Sequence, residues 1–324
     1  MNRRKFITLL GAQVVCCPRP LSAQLHGKAY RVAVVSTAAD TLAAFREVVL
    51  PELAKDGFVE GRNLTISGHF GEPAEMSRLT QEVLAFRPDV VVASSLVSVQ
   101  AMRTASSTTP IVMSYLGEDP VELGLVQSLA RPGTNVTGLV LMATELGAKR
   151  VALLRELLPS ARRLAILAPR PPRSLDQVDK MQRVAEGLAF EARAFHANNS
   201  SKYVEAFAGM RKAGSEALAM TAHIEFAHDA KKLADLALQA RIAIIGHWAE
   251  MARQGCLLGH GPHNGALRRR TADFVSRILR GAPPGELPIE QPSTFEFVIN
   301  LKTAKALGLT IPPTLLTLAD EVIE

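Results

Sequence analysis

Short, continuously apolar runs recur along the chain at 31–36, 90–94, 111–114, 163–168, 217–220 and 242–245. Runs without a polar alternate position suit strands buried on both faces of a parallel sheet. Between them the apolar residues change to a helical period. Leu42, Phe45, Val49 and Leu53 share one face, and Leu233, Leu236, Ala237 and Ala240 share another. The alternation predicts repeated βα units and an α/β fold.

Two such series, about 30–140 and 145–260, are followed by a helical pattern near 266–280 and by the proline- and glycine-rich stretch 281–285. The arrangement predicts two doubly wound parallel-sheet lobes joined by a hinge around 138–147, lobe 1 over 30–140 and lobe 2 over 145–255. Residues 283–324 are assigned to neither lobe.

Composition narrows this little: 48% hydrophobic and 21% charged residues in a chain of 324 exclude a disordered, collagen-like or coiled-coil protein. Charge changes more. The formal +6 draws on Arg3, Arg4, Lys5 and Arg19, which lie in a stretch without any acid. Without residues 1–23 the excess is 33 basic over 31 acidic residues, so the case for a nucleic-acid partner falls away.

That stretch reads as an address. Arg3-Arg4-Lys5-Phe6-Ile7 opens an apolar run that ends at Cys17, and Leu21-Ser22-Ala23 offers a small-residue cleavage site. A run of about 12 residues is too short to span a ~30 Å hydrocarbon core. The expectation is export to the periplasm by a twin-arginine signal peptide, 1–23, cleaved near Ala23 to leave Gln24 first. Val14-Val15-Cys16 resembles a lipobox only loosely, because Val15 is too large, which disfavours a lipid-anchored form. Cys16 and Cys17 leave with the signal, so Cys256 remains without a disulfide partner. The mature chain is expected to be a soluble monomer.

Ligands of open α/β sheets bind at the carboxyl ends of the strands. Those ends nominate Ser36, Thr37, Ser94, Ser95, Tyr115, Thr221 and His223. They are mostly hydroxyls, suited to a small polar head, and each serine could equally cap a helix. Trp248, the only tryptophan, follows the run 242–245 and is either a cleft wall or core. Asp119, before Pro120, reads as the cap of a helix beginning there. No phosphate-binding glycine loop, nucleophile elbow or paired-cysteine motif occurs, and no cofactor is expected. His247, Cys256, His260 and His263 have donor chemistry for zinc, although Pro262 interrupts helical presentation.

Residues 57–63, Asp119-Pro120-Val121, 129–133, Asn135-Val136-Thr137-Gly138, 304–309, Ile311-Pro312-Pro313 and 319–323 form a series that resembles ABC transporter substrate-binding proteins of the tryptophan/tyrosine-binding type. The resemblance spans essentially the whole mature chain. It implies a periplasmic binding protein type 1 fold with a three-strand hinge, the chain returning to lobe 1 at 257–282. It also implies a solute, aromatic or carboxylate-like, delivered to a membrane permease. The family's loop tryptophan corresponds to Trp248. Gly259 and His260 stand where the family has a hydroxyl and a phenol, which adds His260 to the ligand-binding candidates. His223-Ile224 replaces an Asp-Pro that would meet an amino group. Two other readings compete: a secreted hydrolase or metalloenzyme using His247, Cys256, His260 and His263, and a sensory ligand-binding domain.

Overall fold

In a computed structural model of the chain, residues 28–169, 175–197, 199 and 201–324 are described. The proposed signal, 1–23, lies outside the described residues.

The apolar runs become strands because both of their faces are covered. In β1 (Tyr30–Ser36), Val32 and Val34 pack with Phe45 and Phe274 on one face, while Ala33 and Val35 pack with Met76 and Val99 on the other. The strand joins β2 (Leu64–Phe70), β3 (Val90–Ala93), β4 (Ile111–Leu116) and β5 (Val136–Val140) in a five-stranded sheet of order β2-β1-β3-β4-β5. All its pairings are parallel. Each strand return runs through a helix or turn, as parallel pairing demands.

The second sheet is larger. It holds β6 (Arg163–Ala168), β7 (Glu191–His196), β8 (Ala217–Met220), β9 (Ala243–Gly246), β10 (Leu258–Pro262), β11 (Phe295–Asn300) and β12 (Glu321–Ile323) in the order β12-β11-β10-β9-β8-β6-β7. Only β10 and β11 pair antiparallel. Leu218 and Met220 face Phe207 and Leu233, whereas Ala217 and Ala219 face Leu154 and Met181, so this sheet too is buried on both sides.

The chain passes between the lobes three times, and the passages are tied together. β5 leads through 141–142 into helix Ala143–Leu157 of the second lobe. From β10 the chain enters helix Asn264–Leu279, which packs against β4 and β5 of the first lobe. It returns beyond Glu290 to β11. The Val140 N–H donates to the Glu290 carbonyl at 3.0 Å, and the His263 N–H donates to the Thr294 carbonyl at 3.0 Å. The return segment read as 257–282 therefore divides at His263: Leu258–Pro262 belongs to the second sheet and only the helix after it covers the first lobe. The unassigned segment divides as well, since Leu139 bridges Glu290 while β11 and β12 complete the second sheet. The helix read at Pro120 is instead a turn, closed by Asp119 Oδ1 accepting the Val121 N–H at 2.7 Å.

β10 contains two glycines and a proline, and no strand propensity explains it. Close approach does. A Cβ on Gly259 would stand 2.5 Å from the Trp248 carbonyl oxygen, and one on Gly261 would stand 2.2 Å from that of His247. No side chain fits at 259, so a hydroxyl there is excluded by the path of the backbone. Among the described residues no helix is long and apolar enough to cross a membrane.

Gly261→Ala is expected to destabilise the protein by about 3 kcal/mol, the upper range for overpacking, because the opposing atom is backbone and cannot swing away. Urea unfolding with an unchanged m-value would measure this. A midpoint within error of wild type would show that β10 and the His247 backbone do not approach so closely.

Candidate functional site

The carboxyl ends of both sheets open on one cavity of about 80 Å³ between the lobes. The first lobe lines it with Thr37, Ser94, Ser95, Leu96, Val97, Leu116, Gly117, Glu118 and Leu141. The second contributes Ala222, His223, Ile224, Glu225, His247 and Trp248. The lobes also touch at its rim. His228 Nδ1 lies 3.1 Å from Asp40 Oδ2, and a Cβ on Gly117 would meet the Ala222 carbonyl oxygen at 3.5 Å.

The structure brings together Thr37, Ser94, Ser95, His223 and Trp248 of the residues nominated from sequence. Ser95 has two tasks. Its hydroxyl accepts the Ser98 N–H at 3.3 Å and its own N–H donates to Ser98 Oγ at 3.1 Å, a reciprocal cap on helix Leu96–Ala105 whose first residues line the cavity. Trp248 is buried to 7% exposure, its ring centroid 6.0 Å from that of His247.

Other candidates lie elsewhere. Ser36 is fully buried and its hydroxyl accepts the Ala38 N–H at 3.1 Å and the Thr41 hydroxyl at 2.9 Å, a local turn bond. Thr221 is also fully buried, directed at the Leu167 carbonyl. His260 does not line the cavity; its ring packs edge-on to Phe297, 6.0 Å between centroids. Tyr115 belongs to β4 by its backbone, and its side chain lies outside the described part of the structure.

The zinc alternative does not assemble. Among the described residues no cluster of three or more His, Cys, Asp or Glu could hold a metal ion. His263 Nδ1 instead accepts the Ala266 N–H at 3.2 Å and caps the following helix. Cys256 is buried in the apolar core, and burial pushes its thiol up to about 12.

Three polar residues that matter here were missed from sequence. Glu225, two residues past His223, brings the carboxylate that position 223 lacks and forms an ion pair with the His223 imidazole. Burial works against its charge, but the His223 imidazole, with a smaller part from its own backbone N–H, outweighs burial and holds its carboxyl below the ordinary value. Gln177 Oε1 accepts the Ala222 N–H at 2.9 Å. Arg150 lies on the buried face of helix Ala143–Leu157 beside Leu146, Val151 and Leu154, and a cation on an apolar helical stripe is the signal that could have flagged it.

His247 is held far below the ordinary imidazole value by burial first, then by the charges of Arg150 and His223. Burial and Arg150 likewise push His260 down to about 4.

Two sheets, one wholly and one largely parallel, aiming their carboxyl ends at a shared cavity, with three tied crossings behind it, make the fold of the type 1 periplasmic binding proteins. Residues 31–323 match the family described as ABC transporter substrate binding protein, and the chain belongs to it. It is 25% identical over 262 residues to the tyrosine-binding protein of Clostridioides difficile strain R20291, covering 79% of this chain and 74% of that protein. A conserved domain protein from Vibrio cholerae has a solved structure similar to this one: TM-score 0.84, 27% identity, 91% of this chain and 100% of that one. The ABC domain from Streptococcus pneumonia in complex with L-Trp superposes with a TM-score of 0.81 at 22% identity, over 91% of this chain and 100% of its own.

Stability should fall in acid through these histidines. The unfolded chain binds protons below about pH 6.5 while the folded chain keeps both imidazoles neutral, so each group removes about 1.4 kcal/mol per pH unit below that value. Glu225, held low, contributes only at more acid pH, which leaves pH 6.5 to 5 to the histidines. Urea midpoints should drop across this window in wild type and drop less in His247→Gln. Equal slopes for the two proteins would mean that His247 is not held neutral.

Proposed function

We propose that the chain is an exported, non-catalytic receptor that closes its lobes on a small molecule with a flat, aromatic body and presents the closed form to the permease of an ABC importer. The observation that carries this reading is the interlobe cavity. Its lining is divided between the two lobes and mixes apolar with polar side chains, as small-molecule sites do. Val97, Leu116, Leu141 and Trp248 give it an apolar wall, and Thr37, Ser94, Ser95, His223 and Glu225 give it a polar one. Aromatic bodies gain from such a wall by burial and ring contact. Tyrosine and L-Trp, named for two relatives, have this shape.

The three crossings at 141–142, 263 and 291–294 would serve as the hinge, so closure takes the place of chemistry. In this reading Ser94, Ser95, Thr37, His223 and Trp248 meet the solute, and Tyr115 is retained as a candidate from the strand end it occupies. The mature protein acts as a monomer, without nucleic acid, in the periplasm. Residues 1–23 supply the export address.

Intrinsic emission provides the test, since Trp248 is the only tryptophan. A solute that closes the cleft should shift or quench the emission saturably. Trp248→Phe should lose the signal and weaken an aromatic ligand by about 1 kcal/mol of ring contact. A ligand confirmed by calorimetry that leaves the emission untouched would assign Trp248 to the core alone.

Export has its own check. The protein should accumulate outside the cytoplasm with Gln24 at or near its N-terminus, and Arg3→Lys with Arg4→Lys should retain it inside if the twin-arginine route is used. An uncleaved cytosolic protein would contradict the receptor reading.

A further inference from the structure

One residue of the first lobe lands directly on the second. Gly117 follows β4, and the three atoms nearest to where its Cβ would stand all lie beyond the first crossing. They are the Ala222 carbonyl oxygen at 3.5 Å, Gln177 Nε2 at 3.5 Å and the Ala143 Cβ at 3.6 Å. Ala222 follows β8, Gln177 belongs to helix Leu175–Gly187, and Ala143 opens helix Ala143–Leu157. These separations are ordinary van der Waals contact, so the gap at 117 holds one methyl group and nothing larger. The φ of Gly117 is outside the left-handed region, so its own backbone does not call for glycine. The opposite lobe is what limits the side chain here.

The surface that receives Gly117 cannot yield. Gln177 is 2% exposed, and its Oε1 accepts the Ala222 N–H at 2.9 Å, which holds the peptide that Gly117 meets. Its Nε2, turned toward Gly117, has no partner among the described residues. Two of the three facing atoms, a backbone oxygen and a helix Cβ, have no rotamer that would carry them away.

The position of this contact multiplies its effect. In the first sheet β4 lies beside β5, the strand that leads into the first crossing, and the Leu141 N–H donates to the Leu116 carbonyl at 2.8 Å. β1 lies two strands farther out. With neighbouring strands about 4.8 Å apart, the tip of β4 is one spacing from the crossing and the tip of β1 is three, so an obstacle of about 1 Å at Gly117 opens the rim near Asp40 by about 3 Å. The contact of Asp40 with His228, 3.1 Å long, is lost in such an opening.

We infer that Gly117 is the stop on which the lobes land, and that its missing side chain sets the aperture of the closed cleft. The inference rests on the receptor reading above and adds the residue that limits closure. Gly117 is thus a positioning residue for the second lobe, because His223, Glu225 and Trp248 reach a solute only as far as this landing allows. Gly117 also borders the cavity, so a larger residue weakens binding by one of two routes, touching the solute or propping the lobes. Only the second keeps the lobes apart when solute is bound.

The test compares wild type, Gly117→Ala and Gly117→Val, with L-tryptophan and L-tyrosine as probes. Calorimetry supplies affinities, small-angle X-ray scattering supplies the radius of gyration with and without saturating probe, and melting temperature without probe supplies stability. Wild type should contract on saturation. Gly117→Ala should contract as far, since its methyl fits the gap. Gly117→Val should stay at the uncontracted radius when saturated and melt, unliganded, within error of wild type. Its affinity should fall by about ten-fold or more, in proportion to the closed fraction lost. A Gly117→Val protein that contracts as far as wild type would overturn the inference and leave the receptor reading in place, because any loss of affinity would then come from touching the solute. So would a Gly117→Ala protein that fails to contract. A clear fall in the unliganded melting temperature of Gly117→Val would overturn it too, by marking the position as packing within one lobe. If neither probe bound wild type, or bound without contraction, the reading of a receptor that closes on aromatic solutes would fail, and this inference with it.

Discussion

Parallel pairing fixes the direction of every strand it joins, and in this molecule that constraint places everything else. Once β1, β3, β4 and β5 run the same way, their carboxyl ends must lie along one edge. The same holds for β6, β8 and β9. The helix following each strand must then begin at that edge, with its first N–H groups unpaired inside the helix. Two such edges face one another across the cavity, which is why capping hydroxyls and cavity hydroxyls are partly the same residues. Ser95 belongs to both sets, whereas Ser36 and Thr221 are consumed by local structure.

The antiparallel pair β10 and β11 has a different job. It lets the chain leave the second lobe and re-enter it beside its own exit, so that the crossings lie next to one another and share hydrogen bonds. Crossings bonded to each other bend together. The close passage of Gly259 and Gly261 along the His247–Trp248 backbone fixes one wall of the cavity to this hinge strand. A wall set by backbone contact keeps its shape while the lobes move, and only the gap between the walls changes.

The sequence made some parts of this legible because their physics is local. Central strands such as β3 and β6 are buried along nearly their whole length, so burial writes an unbroken apolar run. Edge strands have neighbours on one side only. β7, Glu191–His196, has no fully buried residue, and β2 has one, Leu64, so neither leaves such a run. β10 leaves still less, since glycines placed for close approach look like a turn. The strand-tip candidates were read with the same limit. Composition at a tip says which residues could meet a ligand, while the path of the next few residues decides which do, as Glu225 against Thr221 illustrates.

The polar groups of the site are divided between the lobes, and this has a consequence for selectivity. Thr37 from the first lobe and Glu225 from the second line the same cavity, and Glu225 is held by His223 from its own lobe. Neither lobe alone completes that polar wall. A solute that fits the apolar wall but holds the lobes a few ångströms apart forfeits it, along with the rim pair between Asp40 and His228. That exposed pair contributes little on its own, about 0–1 kcal/mol in such settings. The half-buried pair of His223 and Glu225 responds more sharply, because charge interactions strengthen as water is excluded. Discrimination in a cleft built this way rests less on the first encounter with one lobe than on which solute allows the second lobe to arrive.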